Sequence, residues 1–301
     1  MKKRILILGV TGMVGHALFN HLSMYKDLNV HATARTRNGL EQWFSPDVAN
    51  KILADVDAVD LDSVARALSS VKPEIVINCI GITKQSPLAN DPITATMINS
   101  LFPHSVSLVC RSTRTRFIHL STDCVFSGTR GNYNENDVPD AGDLYGRSKL
   151  LGEVLDSDCL TVRKSLIGHE LKGKQGLIEW FLAQEGRVDG FTGAIFTGLP
   201  TIELARILAE YIIPNENLKG LYHVGADPIS KYELLNLVAE RYGKKIVITP
   251  EREFQKNRSL DSSEFRRLTD YHSPSWPELV DMMYRHYVAS SYDRITERKK
   301  V

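Results

Sequence analysis

The sequence predicts an α/β fold: a doubly wound parallel sheet with a smaller C-terminal α/β lobe. The first observation is that short apolar runs, such as Ile5–Leu8 and Ile75–Ile77, alternate with helical stretches along the first half of the chain. Strands that are covered by helices on both faces have this continuous apolar character. The second observation is a change of rhythm after Ser165, where the polar stretch Gly168–Gly176 leads to a further set of helices. These patterns predict one large sheet and a second lobe.

The individual elements follow from the same patterns. Apolar runs bounded by turn residues predict strands of the large sheet at Ile5–Leu8, Asn29–Ala34, Ile75–Ile77, Arg116–Leu120, Leu160–Arg163 and Leu221–Val224. In the second half, helices are predicted at Leu177–Gln184, Thr201–Ile213, Tyr232–Tyr242 and Glu278–Ala289, and a short strand at Ile246–Ile248. We therefore assign residues 1–165 to the sheet domain, with 197–226 returning to it, and residues 166–196 and 227–301 to the second lobe.

Composition excludes several classes of partner. The 301 residues have a formal net charge of +1, with 43% hydrophobic and 24% charged residues, as in ordinary globular proteins. Nucleic-acid binding needs a concentrated basic surface, and the basic cluster Arg298–Lys300 is interpreted as a solvated tail. No apolar run approaches the roughly 20 residues of a membrane span, and the start Met1–Arg4 does not read as a cleavable signal. A cytoplasmic protein without a membrane partner is therefore expected.

The four cysteines indicate neither a disulfide framework nor a metal site. Cys79, Cys110, Cys124 and Cys159 show neither close pairing nor the spacing of metal ligands. Reduced thiols with structural or incidental roles are expected, and no metal site is predicted.

A glycine-rich loop follows the first predicted strand and opens the first helix. Its residues are Gly9, Val10, Thr11, Gly12, Met13, Val14 and Gly15. Glycines at this point permit a tight turn and the close approach of backbone to a pyrophosphate, which the free amides at a helix N-terminus bind. A plain turn would explain three glycines equally well elsewhere, but in this position the loop predicts a Rossmann dinucleotide site.

The end of the second predicted strand indicates which dinucleotide is bound. NAD sites usually place an acidic residue here, on the adenosine ribose. This chain has Arg35 and Arg37 instead, which suit the additional phosphate of NADP; two exposed loop arginines are the alternative. We expect NADPH, with NADH as a second possibility. Asp57 and Ala58 are expected near the adenine, although Asp55 and Asp60 compete for that place.

Three residues suggest carbonyl reduction. Thr122 follows the strand Arg116–Leu120, at the edge where open α/β sheets hold ligands. Tyr145 and Lys149 are four apart on a predicted helix and share one face. A lysine ammonium beside the phenol, together with the charge of a bound nicotinium, is expected to favour the phenolate and lower the tyrosine pKa. We predict that Tyr145 exchanges the proton, that Thr122 hydrogen-bonds the carbonyl oxygen, and that Lys149 also binds the nicotinamide ribose.

These motifs resemble the extended short-chain dehydrogenase/reductase family, and within it the dTDP-4-dehydrorhamnose reductase group. Ser121 to Gly128 (STDCVFSG) is similar to the group's Ser-Thr-Asp-Tyr-Val-Phe-x-Gly, and Tyr145 to Lys149 with Gly152-Glu153 continues the likeness. The resemblance covers the first 165 residues well and the rest loosely. It implies an oxidoreductase that reduces a nucleotide-linked 4-keto-6-deoxysugar with NADPH, in deoxysugar and polysaccharide biosynthesis.

The resemblance also implies further site residues. Cofactor contacts are implied for Cys79, Ile80, Gly81 and Asn99, and substrate contacts for Asp123, Cys124 and Val125. Cys124 stands where the group has tyrosine, which puts the identity of the sugar in doubt. Lys84 is expected to reach the substrate diphosphate, or else to be a solvated lysine, and Trp180, Arg206 and Arg258 are candidates for the pocket of the second lobe.

Three alternatives stay open. A 4,6-dehydratase of the same family would carry a glutamate after the Thr-Asp pair, where this chain has Cys124. An epimerase would retain NAD, which the basic Arg35 disfavours. A non-catalytic regulatory subunit similar to the methionine adenosyltransferase β subunit would not need Thr122, Tyr145 and Lys149. The predicted partner is a nucleotide sugar, and a homodimer is an assembly that the sequence leaves open.

Overall fold

The structure is a computed structural model that describes residues 2–156 and 158–290. The predicted basic tail Arg298–Lys300, and the end of the second lobe assigned to 227–301, lie outside these described residues.

A seven-stranded sheet forms the centre of the molecule. Its order is β10-β6-β5-β4-β1-β2-β3, and all neighbours are parallel. The strands are β1 (Lys3–Leu8), β2 (Leu28–Thr33), β3 (Ile52–Leu53), β4 (Ile75–Asn78), β5 (Arg116–Leu120), β6 (Cys159–Arg163) and β10 (Gly220–His223). The strand order reverses between β1 and β4, which opens a crevice at their carboxyl ends. This confirms the predicted doubly wound Rossmann sheet.

Helices cover both faces of this sheet. The helices within residues 2–156 and 158–290 are α1 (Met13–Leu22), α2 (Pro46–Ala49), α3 (Leu61–Val71), α4 (Pro92–Ala95), α5 (Phe102–Ser112), α6 (Leu144–Leu151), α7 (Leu177–Leu182), α8 (Thr201–Ile207), α9 (Lys231–Arg241), α10 (Ser263–Thr269) and α11 (Trp276–Ala289), of which α9 packs against a second, smaller sheet. Alternate residues of β1 enter opposite cores: Ile5 and Ile7 pack with α1 and α8, whereas Leu6 and Leu8 pack with α3 and α5. Burial on both faces explains why the strands read as continuous apolar runs.

The second half contains strands that the sequence did not predict. β8 (Arg187–Phe196) lies between β11 (Ile229–Ser230) and β12 (Val247–Asn257), and β7 (Leu166–Ile167) pairs with β9 (Leu199–Pro200). The prediction of a short strand at Ile246–Ile248 was too short, and β8 was missed. Glycines interrupt the alternation in β8, and most of β12 is polar and exposed, so their mutual pairing decides their conformation. The division into two domains stays a proposal, although β10 does join the large sheet.

One continuous helix, Pro92–Ser112, combines α4, a π-helical turn at Thr96–Leu101, and α5. It has 21 residues, and an 18-residue stretch of it has a mean hydropathy of 1.2, so by length and composition alone it could cross a membrane, although polar residues such as Asn99 and His104 interrupt it. Its inner side packs into the core through Phe102, Val106 and Cys110. Of this 18-residue stretch, 44% is buried.

Candidate active site

The predicted site residues gather at the carboxyl edge of the large sheet. A cavity of about 870 Å³ lies at the opposite edge, where Lys3, Ile75 and Arg116 begin their strands. Ligands of open α/β sheets bind at the carboxyl ends of the strands, beside the reversal of strand order. Topology, and not the volume of that cavity, therefore locates the candidate site.

The glycine loop has the shape that a pyrophosphate site requires. Gly9 has φ +87°, and a Cβ on Gly15 would collide with the carbonyl oxygen of Gly9, so the first turn of α1 lies directly on the loop. Gly12 precedes α1 without any side-chain cap, and a Cβ there would meet only ordinary contacts. The uncapped amides and the open space fit a bound phosphate group. His16 stays neutral here because burial lowers its pKa to about 4.

The end of β2 presents the two predicted arginines to solvent. Thr33 fixes the loop, since its Oγ1 accepts a hydrogen bond from the Gly9 amide at 3.2 Å. Arg35 and Arg37 follow and are exposed, and no carboxylate among residues 2–156 and 158–290 pairs with either. Two unpaired guanidinium groups beside the ribose end of the cleft fit the phosphate that distinguishes NADP from NAD.

The predicted adenine contacts lie between β3 and α3. Asp57 and Ala58 are partly buried, and the Asp57 amide donates to the Oγ of Ser63 at 3.0 Å. Of the competing aspartates, Asp60 caps α3 by accepting from the Ser63 amide, and Asp55 is exposed in the left-handed region at φ 60°. Capping occupies Asp60, so Asp57 stays the prediction for the adenine contact.

Thr122 and Tyr145 meet at the end of β5. Thr122 is buried, caps a short 3₁₀ turn by accepting from the Cys124 amide at 3.2 Å, and lies close enough to the Tyr145 phenol to lower its pKa. α6 presents Tyr145 after its N-cap Asp143, whose carboxylate accepts from the Gly146 amide at 2.8 Å. The predicted hydroxyl pair is thus assembled from two elements far apart in sequence.

Lys149 reaches the same strand end one turn later on α6. It is buried, and its Nζ donates to the carbonyl oxygen of Leu120 at 2.9 Å. Burial and the nearby charge of Lys164 lower the Lys149 pKa to about 7. A cation poised between its two protonation states near neutral pH is typical of functional sites.

The expectation of an acidic phenol is wrong for the chain alone. Burial, followed by the electrostatic effect of Cys124, raises the Tyr145 pKa above its ordinary value, and Lys149 is not among the groups that shift it. The Lys149 Nζ donates instead to the Leu120 carbonyl at 2.9 Å. A protonated phenol at neutral pH suits a proton donor, so the correction favours the reductive direction.

A buried ionic network supports the site from below. Glu153 and Arg163 form a two-pronged ion pair, at 2.8 and 2.7 Å, and both side chains are 4% exposed. Glu153 also accepts from the hydroxyl of Ser121 at 2.6 Å, and Arg163 lies 3.3 Å from His223 of β10. Ser121, which immediately precedes Thr122 at the end of β5, is thereby connected through Glu153 to Arg163 of β6 and to His223 of β10.

The Gly81 and Asn99 positions connect the end of β4 to α6. Asn99 is buried; its side chain accepts from the Ile82 amide at 2.8 Å and donates to Ser148 at 3.1 Å. A Cβ on Gly81 would lie 3.4 Å from Asn99 Oδ1 and 3.9 Å from Lys149 Nζ, and Gly9 similarly lies against Ile80. Cys79 is partly buried, and burial raises its thiol pKa to about 12. The cofactor contacts of these residues stay predictions.

On the substrate side, several cations lie near the predicted residues. Lys84 pairs with Asp143 at 2.6 Å, and Arg258 donates to the sulfur of Cys124 at 3.2 Å. Lys256 belongs to the same group, since burial and the charges of Arg258 and Lys84 lower its pKa. The cations surround the N-terminus of α6.

Two expected pocket residues do not fit. Val125 is fully buried in a core cluster with Phe126, Tyr133 and Leu260, which corrects the expectation of a substrate contact through its side chain. Arg206 forms ion pairs with Glu203 and Glu210 on its own helical stretch, away from the site. Trp180 is 38% exposed on α7, and its substrate contact stays a prediction.

Two lysines at the site were missed by the sequence analysis. Lys164 follows β6 and Lys231 begins α9, and burial lowers the pKa of each, that of Lys231 to about 8. The negative charge of Asp123 acts in the opposite direction and raises the pKa of both lysines. The Lys231 Nζ also lies 3.4 Å from the centroid of the Phe196 ring. The position of Lys164 at a strand end was a usable signal, whereas nothing in the sequence placed Lys231 near Asp123.

Comparison with known proteins identifies similar chains. A family model described as the RmlD substrate binding domain matches residues 2–289. The methionine adenosyltransferase 2 subunit beta of Mus musculus is 24% identical over 320 residues, which cover 95% of this chain and 91% of that protein. The probable low-salt glycan biosynthesis reductase Agl14 of Haloferax volcanii is 38% identical over 186 residues, which cover 58% and 61%.

A solved structure has the same fold. The dTDP-4-dehydrorhamnose reductase of Bacillus anthracis, in complex with NADP, superposes with a TM-score of 0.78 over 95% of this chain and 100% of that one, at 21% identity. At this identity the likeness establishes the fold, and the function must be argued from the site.

Proposed function

The chain belongs to the RmlD substrate-binding domain family, and from this premise we propose that it is an NADPH-dependent reductase of the 4-keto group of a nucleotide-linked 6-deoxysugar. One observation carries the proposal: the buried hydroxyl of Thr122 lies close enough to the Tyr145 phenol to lower its pKa, and the Lys149 Nζ binds the carbonyl of Leu120 at the end of the same strand. Carbonyl reduction needs a hydrogen-bond donor to the carbonyl oxygen, a proton donor and a cation beside it, and a hydroxyl, a phenol and an amine can supply these three groups.

The cofactor site is proposed from the residues that fit a dinucleotide. The amides of the Gly9–Gly15 loop would hold the pyrophosphate, and Arg35 and Arg37 the additional phosphate of NADPH. Lys149 would hold the nicotinamide ribose. When bound, NADPH supplies the hydride. NADP in the Bacillus anthracis structure supports this choice of cofactor.

The protein supplies the proton and fixes the carbonyl. Burial keeps the Tyr145 phenol protonated at neutral pH, so Tyr145 can donate to the carbonyl oxygen as negative charge develops there. Thr122 would donate a second hydrogen bond to that oxygen. Once Tyr145 has lost its proton, the charge of Lys149 would stabilise the phenolate. Lys149 would then return a proton to the Tyr145 oxygen, and its neutral amine, with a pKa of about 7, would take up a proton from water.

The charge around the cleft supports a phosphorylated substrate. Lys84, Lys256 and Arg258 gather near Asp143, and each of these cations could approach a diphosphate. Charge-assisted hydrogen bonds to phosphate oxygens are among the strongest that side chains make. A neutral ketone would make no use of the positive charge of this group, which favours a nucleotide sugar.

A regulatory subunit is the second candidate. The similarity to methionine adenosyltransferase 2 subunit beta extends over 95% of this chain, further than that to Agl14. A binding subunit would not require the phenol of Tyr145, so activity of the intact chain against that of a phenol-free variant separates the two proposals.

The deciding experiment is a substrate panel. The purified chain is mixed with NADPH or NADH and with dTDP-, UDP-, GDP- or CDP-linked 4-keto-6-deoxysugars, and loss of absorbance at the nicotinamide band is recorded. We expect NADPH oxidation with at least one member and none with the Tyr145→Phe variant. Binding of NADPH without oxidation by any member would favour the regulatory subunit and overturn the reductase.

A further inference from the structure

The cavity of about 870 Å³ at the amino edge of the large sheet is separate from the candidate active site, and we call it the amino-edge cavity. Lys3 of β1 lines this cavity, and the glycine loop begins six residues further along the chain, at Gly9. Since a strand rises about 3.3 Å per residue, roughly 20 Å separate the cavity from that loop. Small-molecule sites have volumes of about 300–1,000 Å³, so the amino-edge cavity can hold a ligand of its own.

Positive charge predominates in the lining of the amino-edge cavity. Seven lysine and arginine residues line it against three carboxylates, which gives the lining a formal charge of +4, whereas the whole chain has a net charge of +1. Each of these carboxylates is already paired with one cation of the lining. The pairs are Lys3–Glu216 at 2.8 Å, Lys219–Asp158 at 3.0 Å and Arg4–Glu74 at 3.8 Å. Four cations of the lining therefore have no carboxylate of the lining as a partner.

Lys72 and Arg114 are the least compensated of these four cations. Both are exposed, and no carboxylate within residues 2–156 and 158–290 forms an ion pair with either side chain. The third cation, Arg111, pairs at 3.9 Å with Asp156, which is not among the residues that line the cavity. Lys72 and Arg114 are thus available to an anion in the cavity.

Arg116, the fourth cation, is fixed in the wall of the cavity. Its two terminal nitrogens donate to the carbonyl oxygens of Ile212 and Leu218, each at 2.8 Å. Burial lowers the Arg116 pKa, and the charge of Glu216 opposes this shift. Neutral carbonyl groups orient the guanidinium but do not neutralise it, so a partly desolvated positive charge remains in the wall.

Helix C-termini account for only part of this excess charge. Lys72 ends α3, and Arg114 lies just after α5, where the partial negative charge of a helix C-terminus favours cations. This charge is about half a unit for each helix, so α3 and α5 offset about one positive charge and leave about three. Both residues also have left-handed backbone, at φ 48° and 54°, where glycine is the usual residue. The cations therefore stand where the backbone alone would favour glycine.

The lining also distinguishes between classes of anion. In the part of the chain that the structure describes, no aromatic side chain lines the cavity, so none can stack on a nucleobase. The hydroxyls of Ser69, Thr113 and Thr115 line it, together with the three carboxylates. Hydroxyls and carboxylates are suitable hydrogen-bond partners for the hydroxyl groups of a sugar.

We propose that the amino-edge cavity binds a phosphorylated sugar. The phosphate, with about two negative charges at neutral pH, takes up most of the excess positive charge through Lys72, Arg114 and Arg116. The sugar hydroxyls bind the hydroxyls and carboxylates of the lining. The site is distinct from the carboxyl edge, and the proposal does not depend on the reductase assignment.

Isothermal titration calorimetry of the full chain tests the proposal. The probes are glucose 1-phosphate, glucose 6-phosphate and mannose 1-phosphate, with inorganic phosphate for comparison. We expect at least one sugar phosphate to bind at one site, more tightly than inorganic phosphate. Its affinity should fall as sodium chloride is raised from about 20 to about 500 mM, because salt screens exposed charges.

Two variants locate the bound sugar phosphate. Lys72→Gly and, separately, Arg114→Gly each remove a cation at a left-handed position that suits glycine, so the fold should be kept, as circular dichroism would verify. Each should weaken binding about tenfold or more through loss of a charge-assisted contact. Asp270→Gly, at the left-handed end of α10, is the matched backbone control. Lys84→Gln at the carboxyl edge is the charge control, and both controls should bind as the parent chain does.

Three results would overturn the proposal. One is a parent chain that binds none of the three sugar phosphates. Another is binding that is unchanged in Lys72→Gly and Arg114→Gly but lost in Lys84→Gln, which would place the ligand at the carboxyl edge. The third is an equal affinity for inorganic phosphate and for every sugar phosphate, which would show that the cavity does not recognise the sugar.

Discussion

The two edges of the seven-stranded sheet differ in how far their charged side chains are exposed to water. At the amino edge, beside the large cavity, charges are exposed and paired, as Lys3 with Glu216 at 2.8 Å and Lys219 with Asp158 at 3.0 Å. At the carboxyl edge, Lys149 and the pair Glu153–Arg163 are withdrawn from water. Exposed pairs contribute little to stability, whereas a desolvated charge is maintained only where the surroundings compensate it. The difference teaches that buried charge, more than cavity volume, marks the edge where chemistry is expected.

The largest effect is expected for Tyr145→Phe at the carboxyl edge. Removal of the proton donor should lower kcat about 10²- to 10⁴-fold, while the dissociation constant of NADPH stays within about twofold. Steady-state kinetics and a fluorescence titration measure the two quantities, with Tyr284→Phe on α11 as a control that should behave as the parent chain. An unchanged kcat in Tyr145→Phe would remove the phenol from the mechanism.

The next largest effect is expected for Arg35→Asp, just beyond the same edge. Loss of a charge-assisted hydrogen bond of about 1.5–3 kcal/mol should reduce the preference for NADPH over NADH about 10- to 100-fold. The ratio of kcat/KM for the two cofactors is the measurement, and Arg252→Asp on the exposed part of β12 is the control. Equal ratios before and after the change would show that Arg35 does not contact the phosphate.

A smaller effect is expected for Lys149→Met. This variant should gain stability, whereas the two preceding variants lose activity or cofactor preference. The folded-state pKa of Lys149 is about 7, below its ordinary 10.5, so unfolding takes up a proton between these values. The unfolded state binds more protons in that window, and the parent chain therefore becomes more stable as pH rises from 7 towards 10. Methionine removes this buried charge, and we expect it to raise the free energy of unfolding by about 1–2 kcal/mol at pH 7.

Urea denaturation at pH 7 and pH 9 measures this effect. The advantage of Lys149→Met should narrow at pH 9, because the parent chain no longer carries the full charge in its folded state. A difference that is constant with pH would contradict the lowered Lys149 pKa.

The smallest effect is expected at the amino edge. Lys219→Gln removes one exposed ion pair, and stability should change by less than about 0.5 kcal/mol, with kcat unaffected. A loss of activity greater than tenfold would contradict the assignment of the chemistry to the carboxyl edge and would indicate that the large cavity takes part in the function.

Most of the sheet was predictable because its longer strands each have a recognisable apolar pattern, whereas the two-residue β3 has none. β1, β4 and β5 are buried on both faces, so their apolar runs reveal them without knowledge of their neighbours. β8 and β12 lack such a signal, since their conformation depends on eight paired positions between two segments about 60 residues apart. Local sequence patterns therefore predict strands that are buried on both faces. They do not predict strands whose conformation depends on pairing with a distant segment.

The candidate site divides in the same way. The glycine loop and the pair Tyr145–Lys149 were visible because their spacing within a single element has a chemical meaning. Lys231 and Arg258 reach Asp123 and Cys124 from the second half of the chain, and only the folded arrangement brings them there. The raised pKa of Tyr145 was likewise invisible, because it arises from burial and not from the neighbour in sequence.

The buried network beneath Thr122 has a consequence for the order in which the chain is completed on the ribosome. The Glu153–Arg163 pair is closed off by His223, whose amide donates to Glu135 at 2.8 Å. Until residue 223 has emerged, the nascent sheet ends at β6 with two ionised side chains open to water and an unprotected strand edge. The large sheet therefore cannot be completed by the first half of the chain alone during synthesis, and its last strand, β10, completes an edge that β1 begins.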